Sequence, residues 1–259
     1  RDVAVAGRYA YIVMQNQGLR IVDLANPARP ALVGALPDDW IMGLFVRGRY
    51  VYTAGNMGLR IIDVSDPSQP TVLGAYVPPS VPGGVFVAGD YAYLGAGHSG
   101  TFVVEVRDPA HPTPVGACAH APSQERPASA NGVWVEGNYA YVAAIDGGLR
   151  VVSVADPSHP VEVGACSLLG MAYRVQVQGR YAYVAAQNGG LHVVDVADPA
   201  HPTRVGSYTT PDWAASVSVD GPFAYVATGP AGLRVLSVVN PAHPVLIGGY
   251  DTPGGVSGV

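Results

Sequence analysis

Apolar and polar positions along this chain alternate in short runs rather than at helical spacing. Val217-Ser218-Val219, Tyr181-Ala182-Tyr183-Val184-Ala185 and Leu149-Arg150-Val151-Val152 are representative. β-Branched and aromatic residues fill the runs, and Gly, Pro, Asn and Asp bound them, which predicts short strands joined by tight turns. No stretch of a dozen residues carries a 3.6-residue apolar period, so long helices are not expected. Prolines are expected outside the strands, where a missing N–H removes no ladder bond.

The pattern repeats. Gly-x-Tyr/Phe recurs at Gly7/Tyr9, Gly48/Tyr50, Gly89/Tyr91, Gly137/Tyr139, Gly179/Tyr181 and Gly221/Phe223, in steps of 41, 41, 48, 42 and 42 residues. A second marker keeps pace: Asn26-Pro27, Asp66-Pro67, Asp108-Pro109, Asp156-Pro157, Asp198-Pro199 and Asn240-Pro241, each with another proline three residues on. Every copy predicts four strands: a V-x-V run, a Tyr-x-Tyr run, a Gly-Leu-Arg-Val-Val run, and a run after the double-proline turn that ends in Val-Gly. A four-stranded sheet with apolar side chains on both faces cannot stand alone and must stack on neighbours, the logic of repeat folds with units of about 40–45 residues. The predicted fold is all-β: one six-bladed β-propeller, four antiparallel strands per blade. Its repeats run approximately over 1–41, 42–82, 83–130, 131–172, 173–214 and 215–259, with the V-x-V strand innermost.

The third strands read Leu19-Arg20-Ile21-Val22-Asp23, Leu59-Arg60-Ile61-Ile62-Asp63 and Leu191-His192-Val193-Val194-Asp195, each leading into an Asn/Asp-Pro turn. In this the chain resembles the LVIVD-repeat family over all six copies. Blades three, four and six depart from the pattern, with Glu105, Ser153 and Ser237 at the aspartate position. The resemblance implies a propeller and an extracellular or cell-surface setting, and it supplies no catalytic residue.

Gly258-Val259 falls in register with Asp2-Val3, so the chain covers six periods and a two-residue overlap. Two readings stand: blades one and six close the ring by packing alone, or the chain is a slice of a longer protein. A start at Arg1 with no Met and no signal peptide favours a processed or trimmed product.

Composition narrows the chemistry. Apolar residues are 49%, charged residues only 13%, and all 14 basic residues are arginine. Without lysine there is no Walker-type phosphate loop and no Schiff base. A net charge of −5 argues against nucleic acid as a partner, and no apolar run approaches the ~18 residues of a membrane span. No cofactor is expected.

Gly95-Ala96-Gly97-His98-Ser99-Gly100 matches G-x-G-x-x-G but lies between two strands, with no helix N-terminus to meet a phosphate, and reads as a hairpin turn. His111, His159, His201 and His243 occupy one equivalent position per blade, on the order of 15–20 Å apart given a strand spacing of ~4.8 Å. They read as solvated turn residues, and no metal site is expected. Cys118 and Cys166 end outer strands one blade apart, beyond the ~7 Å reach of a disulfide, and are expected as free thiols. The paired tyrosines of the first five second strands fill the space between blades, and Arg20, Arg60, Arg150 and Arg234 read as blade-to-blade or solvent contacts.

Departures from the repeat are the better guide to function. The links from each outer strand to the next inner strand converge on one face, at the mouth of the central channel. There the copies show Trp40, Val81, Ser129, Met171 and Trp213, two of them in Asp-Trp pairs, Asp39-Trp40 and Asp212-Trp213. Asp38, Tyr173 and Arg174 stand nearby, and an insertion, His120 to Ala130, adds Glu125 and Arg126. These nine, Asp38, Asp39, Trp40, Glu125, Arg126, Tyr173, Arg174, Asp212 and Trp213, form the candidate interaction face.

The expected function is a non-catalytic extracellular or cell-surface module that binds other protein, copies of itself included. Two alternatives stand beside it. One is a carbohydrate or small-ligand site at the mouth, built on Trp40 and Trp213. The other is a metal-dependent, lactonase-like hydrolase drawing on Asp2, Asp38, Asp39, Glu125, Asn131 and Asp212, although no ring of inward ligands repeats around the blades.

Overall fold

The structure, a computed structural model, describes residues 2–14, 16–37, 40–122 and 128–259. The described residues form twenty-four strands in six four-stranded antiparallel sheets, without helix. The first blade comprises Asp2–Ala6, Tyr9–Met14, Gly18–Asp23 and Ala31–Leu36. The sixth comprises Ser216–Asp220, Phe223–Ala227, Leu233–Ser237 and Val245–Tyr250. Within every blade the strands pair in chain order, first to fourth.

The six-bladed propeller expected from the spacing is what the chain forms, with the V-x-V strands innermost. Asp2–Ala6, Ile41–Arg47, Gly84–Ala88, Ala130–Glu136, Arg174–Gln178 and Ser216–Asp220 stand side by side around the channel. The turn from first to second strand uses a glycine in every blade because the backbone there is left-handed, with φ of 53–63° from Gly7 to Gly221. Each outer strand carries a bulge one residue before its glycine, as where Ile21 pairs Gly34 but Val22 pairs Leu32. Two details differ from expectation. The outer strands run on two residues past the Val-Gly pair, and Pro114 lies inside one of them, tolerated because that strand is an edge.

Turns on the face away from the links are tied by a repeated device. The LVIVD aspartates Asp23, Asp63 and Asp195 accept the N–H two residues on and pair with Arg8, Arg49 and Arg180 in the preceding hairpin. In blade three the charges are exchanged, and Arg107 meets Asp90 at 3.0 Å. The double-proline turns hold themselves through the side chains of Asn26, Asp66, Asp108, Asp156, Asp198 and Asn240, which accept the N–H of the second residue on. His111, His159 and His201 are exposed and bond the aspartate of their own turn.

Five interblade cores hold the blades together, one at each junction from blade one to blade six. The packing residues are the expected ones: Tyr11, Tyr52, Tyr93, Tyr141 and Tyr183 are buried between neighbouring blades. At the last junction Gln176 and Gln178 reach across, each exchanging two hydrogen bonds of 2.8–3.0 Å with the backbone of Val219 and Gly221. Among the described residues no sixth core joins blade six to blade one.

Candidate functional site at the channel mouth

The middle residues of the inner strands face the channel. Phe45, Phe86 and Trp134 occupy this position in three successive blades and pack as tilted rings with centroids 4.7 and 4.9 Å apart. They line a cavity of about 290 Å³ whose wall turns polar on the far side, at Gln176 and Ser218. The Trp134 indole N–H is buried there without a hydrogen-bond partner. The signal was present in the sequence, as an aromatic at the middle of Leu44-Phe45-Val46, Val85-Phe86-Val87 and Val133-Trp134-Val135.

Arg174 stands between this cavity and the mouth. From blade five its guanidinium crosses the channel, donating to the Gly83 carbonyl at 3.1 Å and the Met42 carbonyl, and meeting Asp2 at 3.4 Å. Asp2 also accepts the Leu44 N–H at 3.1 Å. One side chain from blade five thereby ties together blades one, two and three through both of its terminal nitrogens.

Above Arg174 a second cavity of about 230 Å³ is lined by Met42, Asn131, Tyr173, Gln187 and Trp213. The structure therefore brings Tyr173, Arg174 and Trp213 together. Trp213 is 45% exposed; its indole lies flat against Gly229, where a side chain would not fit. Asp212 does not line the cavity; its carboxylate accepts the Trp213 N–H at 2.8 Å. Trp40 is half-buried on the blade-two link, its carbonyl accepting the Asn56 N–H at 3.0 Å, and it does not line the cavity either. Asp38, Asp39, Glu125 and Arg126 lie outside the described residues. Among the described residues no three His, Cys, Asp or Glu side chains stand close enough to hold one metal ion.

The rim around this cavity is apolar. All four methionines of the chain lie on the link face: Met42 in the cavity, and Met14, Met57 and Met171 exposed. Val77, Val81 and Leu169 are exposed on the same links. The opposite face is the one with the Arg–Asp pairs.

The insertion needs a correction. His120, expected as the start of an irregular excursion, is fully buried. It bonds Thr101 Oγ1 at 2.9 Å and Glu162 at 2.8 Å, and Glu162 also holds Arg150 at 3.1 Å. Arg150 is thus paired within its own blade rather than across blades. Burial alone would raise the Glu162 carboxyl, but the His120 hydrogen bond and the Arg150 charge outweigh it and hold the group below the ordinary glutamate value. Two members break the repeat, while Arg150 keeps it: Thr101 replaces a leucine, and Glu162 stands where blades one and six have Leu32 and Leu246. Cys118 and Cys166 are buried free thiols in two different interblade cores, and burial pushes both pKa values up.

Among solved structures the chain is similar to a functionally unknown protein from Desulfotomaculum acetoxidans. Identity is 11%, 99% of this chain and 86% of that one are covered, and the TM-score is 0.76. It is similar also to the Myceliophteria thermophila Cps50 (Swd1) β-propeller domain, at 14% identity, with 100% and 88% covered and a TM-score of 0.75. A chain of the Mitotic Checkpoint Complex matches at 12% identity, 96% and 78% coverage and a TM-score of 0.75. At these identities the likeness is one of fold. No curated protein matches the sequence. The LVIVD repeat model matches six times, over residues 1–37, 41–77, 83–120, 127–167, 169–210 and 213–252. Six matches in succession, each on one four-stranded blade, make the chain a member of the LVIVD-repeat family.

Proposed function

We propose that this protein is a non-catalytic, extracellular or cell-surface interaction module that binds other protein through the link face of its propeller. The observation that carries the reading is the contrast between the two faces. The link face exposes three methionines, Val77, Val81, Leu169 and Trp213 around an open cavity, whereas the opposite face carries Arg–Asp pairs in blades one, two, three and five and exposes Phe223 and Val239 in blade six. Flexible thioethers beside an anchoring indole suit an adaptable protein partner. Low charge favours association over colloidal repulsion. One similar fold was solved within a multiprotein complex, which supports the reading by analogy of fold alone. The family resemblance supports the extracellular setting.

The test is site-specific photocross-linking in the source cells. A probe at Leu169 or Met171 should capture a protein, and a probe at Arg49 on the opposite face should not. Trp213→Ala together with Leu169→Asp should abolish capture and leave the melting temperature nearly unchanged. Capture from Arg49 alone, or none from the link face, would refute the proposal.

A second reading has its own observation. The 230 Å³ cavity pairs the Trp213 indole and the Tyr173 ring with the amides of Asn131 and Gln187, a combination that suits a sugar-sized ligand. Trp213→Ala should then abolish saccharide binding on a glycan array, with protein capture unaffected.

A further inference from the structure

At five junctions the outer-strand glycine of one blade sits against the double-proline turn of the next. A Cβ built on Gly34, Gly74, Gly116, Gly164 or Gly206 would strike the carbonyl of Pro67, Pro109, Pro157, Pro199 or Pro241. The sixth glycine of the series, Gly248, has nothing within 4 Å. Its partner by the repeat would be Pro27, and that turn is bare: Pro27 and Pro30 are exposed, while Pro70, Pro160, Pro202 and Pro244 are buried.

Side chains on both sides of the junction agree. On blade one Val5 is 63% exposed, against 3% for its equivalent Val177, and Val22 and Leu24 are half-buried where other blades bury these positions fully. On blade six Tyr225 and Val235 are half-buried where Tyr183 and Val193 are buried, and Tyr250 is 65% exposed. Two apolar sheet faces of the kind that pack on each other elsewhere in the ring thus look onto an unfilled wedge.

We propose that this wedge is the seat of one further four-stranded blade of the LVIVD type, following directly in register from Val259. The course of the last residues shows the way in. The second-to-third-strand turns of blades three and five bridge to the link that leads into the next blade, at Gly97–Ala130 and Gln187–Ala214. Blade six makes the same bridge, Gly229–Val256, so that Gly258-Val259 comes to the place of Ser216-Val217 in a next inner strand. One four-stranded blade supplies what the wedge needs, since each of blades two to five packs one apolar face on the blade before it and the other on the blade after it. A second copy does not fit, because the occupant must present an apolar sheet face to blade six and another to blade one at once.

The test joins a copy of residues 176–213, which follow Val175 as the missing blade would follow Val259, to the end of the chain. The fusion should melt about 5 °C or more above the 259-residue chain. Chemical labelling of Tyr250 and Tyr225 should fall severalfold. Gly248→Ala, harmless in the chain alone, should lower the melting temperature once the blade is added. A second fusion carrying residues 218–251 guards against a graft that fails to fold, and failure of both to raise the melt would overturn the proposal. So would Tyr250 protected without any added blade: at all concentrations this means a ring closed on itself, and with rising concentration it means a second copy in the wedge. Loss of link-face capture would leave every one of these readouts unchanged.

Discussion

The equivalent glycines of the outer strands provide a matched series in which one atom reports on each blade junction. Adding a methyl at a strand glycine has two opposed effects. It restricts the unfolded chain, stabilising by roughly 0.4–1 kcal/mol, and where space is lacking it overpacks, costing typically about 1–3 kcal/mol. At Gly206 the new Cβ would lie well inside 3.0 Å of the Pro241 carbonyl and close to the Ala242 backbone. Neither neighbour is a flexible side-chain end, so blade six would have to shift bodily and overpacking wins. At Gly248 nothing stands within 4 Å, and only the favourable effect remains. For a chain of this size about 1 kcal/mol moves the midpoint by roughly 2–4 °C. Gly206→Ala and Gly164→Ala should therefore lower the midpoint by about 2–8 °C, while Gly248→Ala should leave it unchanged or raise it by about 1–3 °C. Parallel thermal melts followed by circular dichroism suffice. A Gly248→Ala loss equal to that of Gly206→Ala would refute the open junction and the packing argument with it.

Three further outcomes follow from the interior. Glu162→Gln leaves His120 and Arg150 facing a neutral amide and should cost about 2–4 kcal/mol at pH 7 by denaturant melt. The carboxyl is held below its ordinary value of 4.5, so its contribution is complete above that pH and fades as acid protonates the folded form; the variant should lose this acid-side slope. His192 is buried with its Nε2–H donated to the Leu169 carbonyl at 2.9 Å and Nδ1 unpartnered, and burial pushes its pKa below 6.5. Only the unfolded chain then takes up a proton, so stability should fall as pH drops below 6.5, and His192→Phe, matching Phe102 of blade three, should remove that dependence. Cys118 and Cys166, buried and raised in pKa, should resist a thiol reagent at pH 8 in the folded chain and both react in denaturant.

Blade number, strand order and the inward position of the V-x-V strands were legible because one set of constraints recurs six times: turn glycine, paired aromatics and double proline. The open junction was not. Whether six blades complete a circle depends on the wedge between neighbouring sheets, set by how Tyr11, Tyr52 and their equivalents fill each junction, and a strand pattern carries no angle. The cluster of Thr101, His120, Arg150 and Glu162 escaped for a different reason. Its members come from three strands and a link, and Arg150 read as one of the recurring third-strand arginines while His120 read as the start of an insertion. At the mouth, Tyr173 and Trp213 sit on links that converge and Arg174 opens the inner strand that follows one of them, a placement the repeat register gives. That Arg174 would turn inward to the Met42 and Gly83 carbonyls was not legible, because backbone acceptors leave no mark in a sequence.

The two faces of the ring are under different physical demands, and this is why we assign the proposed recognition to one of them. On the face away from the links every turn performs the same task, and six near-identical Arg–Asp or Asx arrangements leave little room for change. Each link need only cross from one blade to the next, so its length and side chains are free once its ends are pinned. Those pins are backbone bonds such as Gly97–Ala130 and Gln187–Ala214, which hold whatever side chains lie between them. Trp213, Leu169 and Met171 therefore vary at little expense to the fold, in contrast to Gly206 or Glu162. Substitutions on the links should change what is bound, and substitutions at the junctions should change whether the blades stay together.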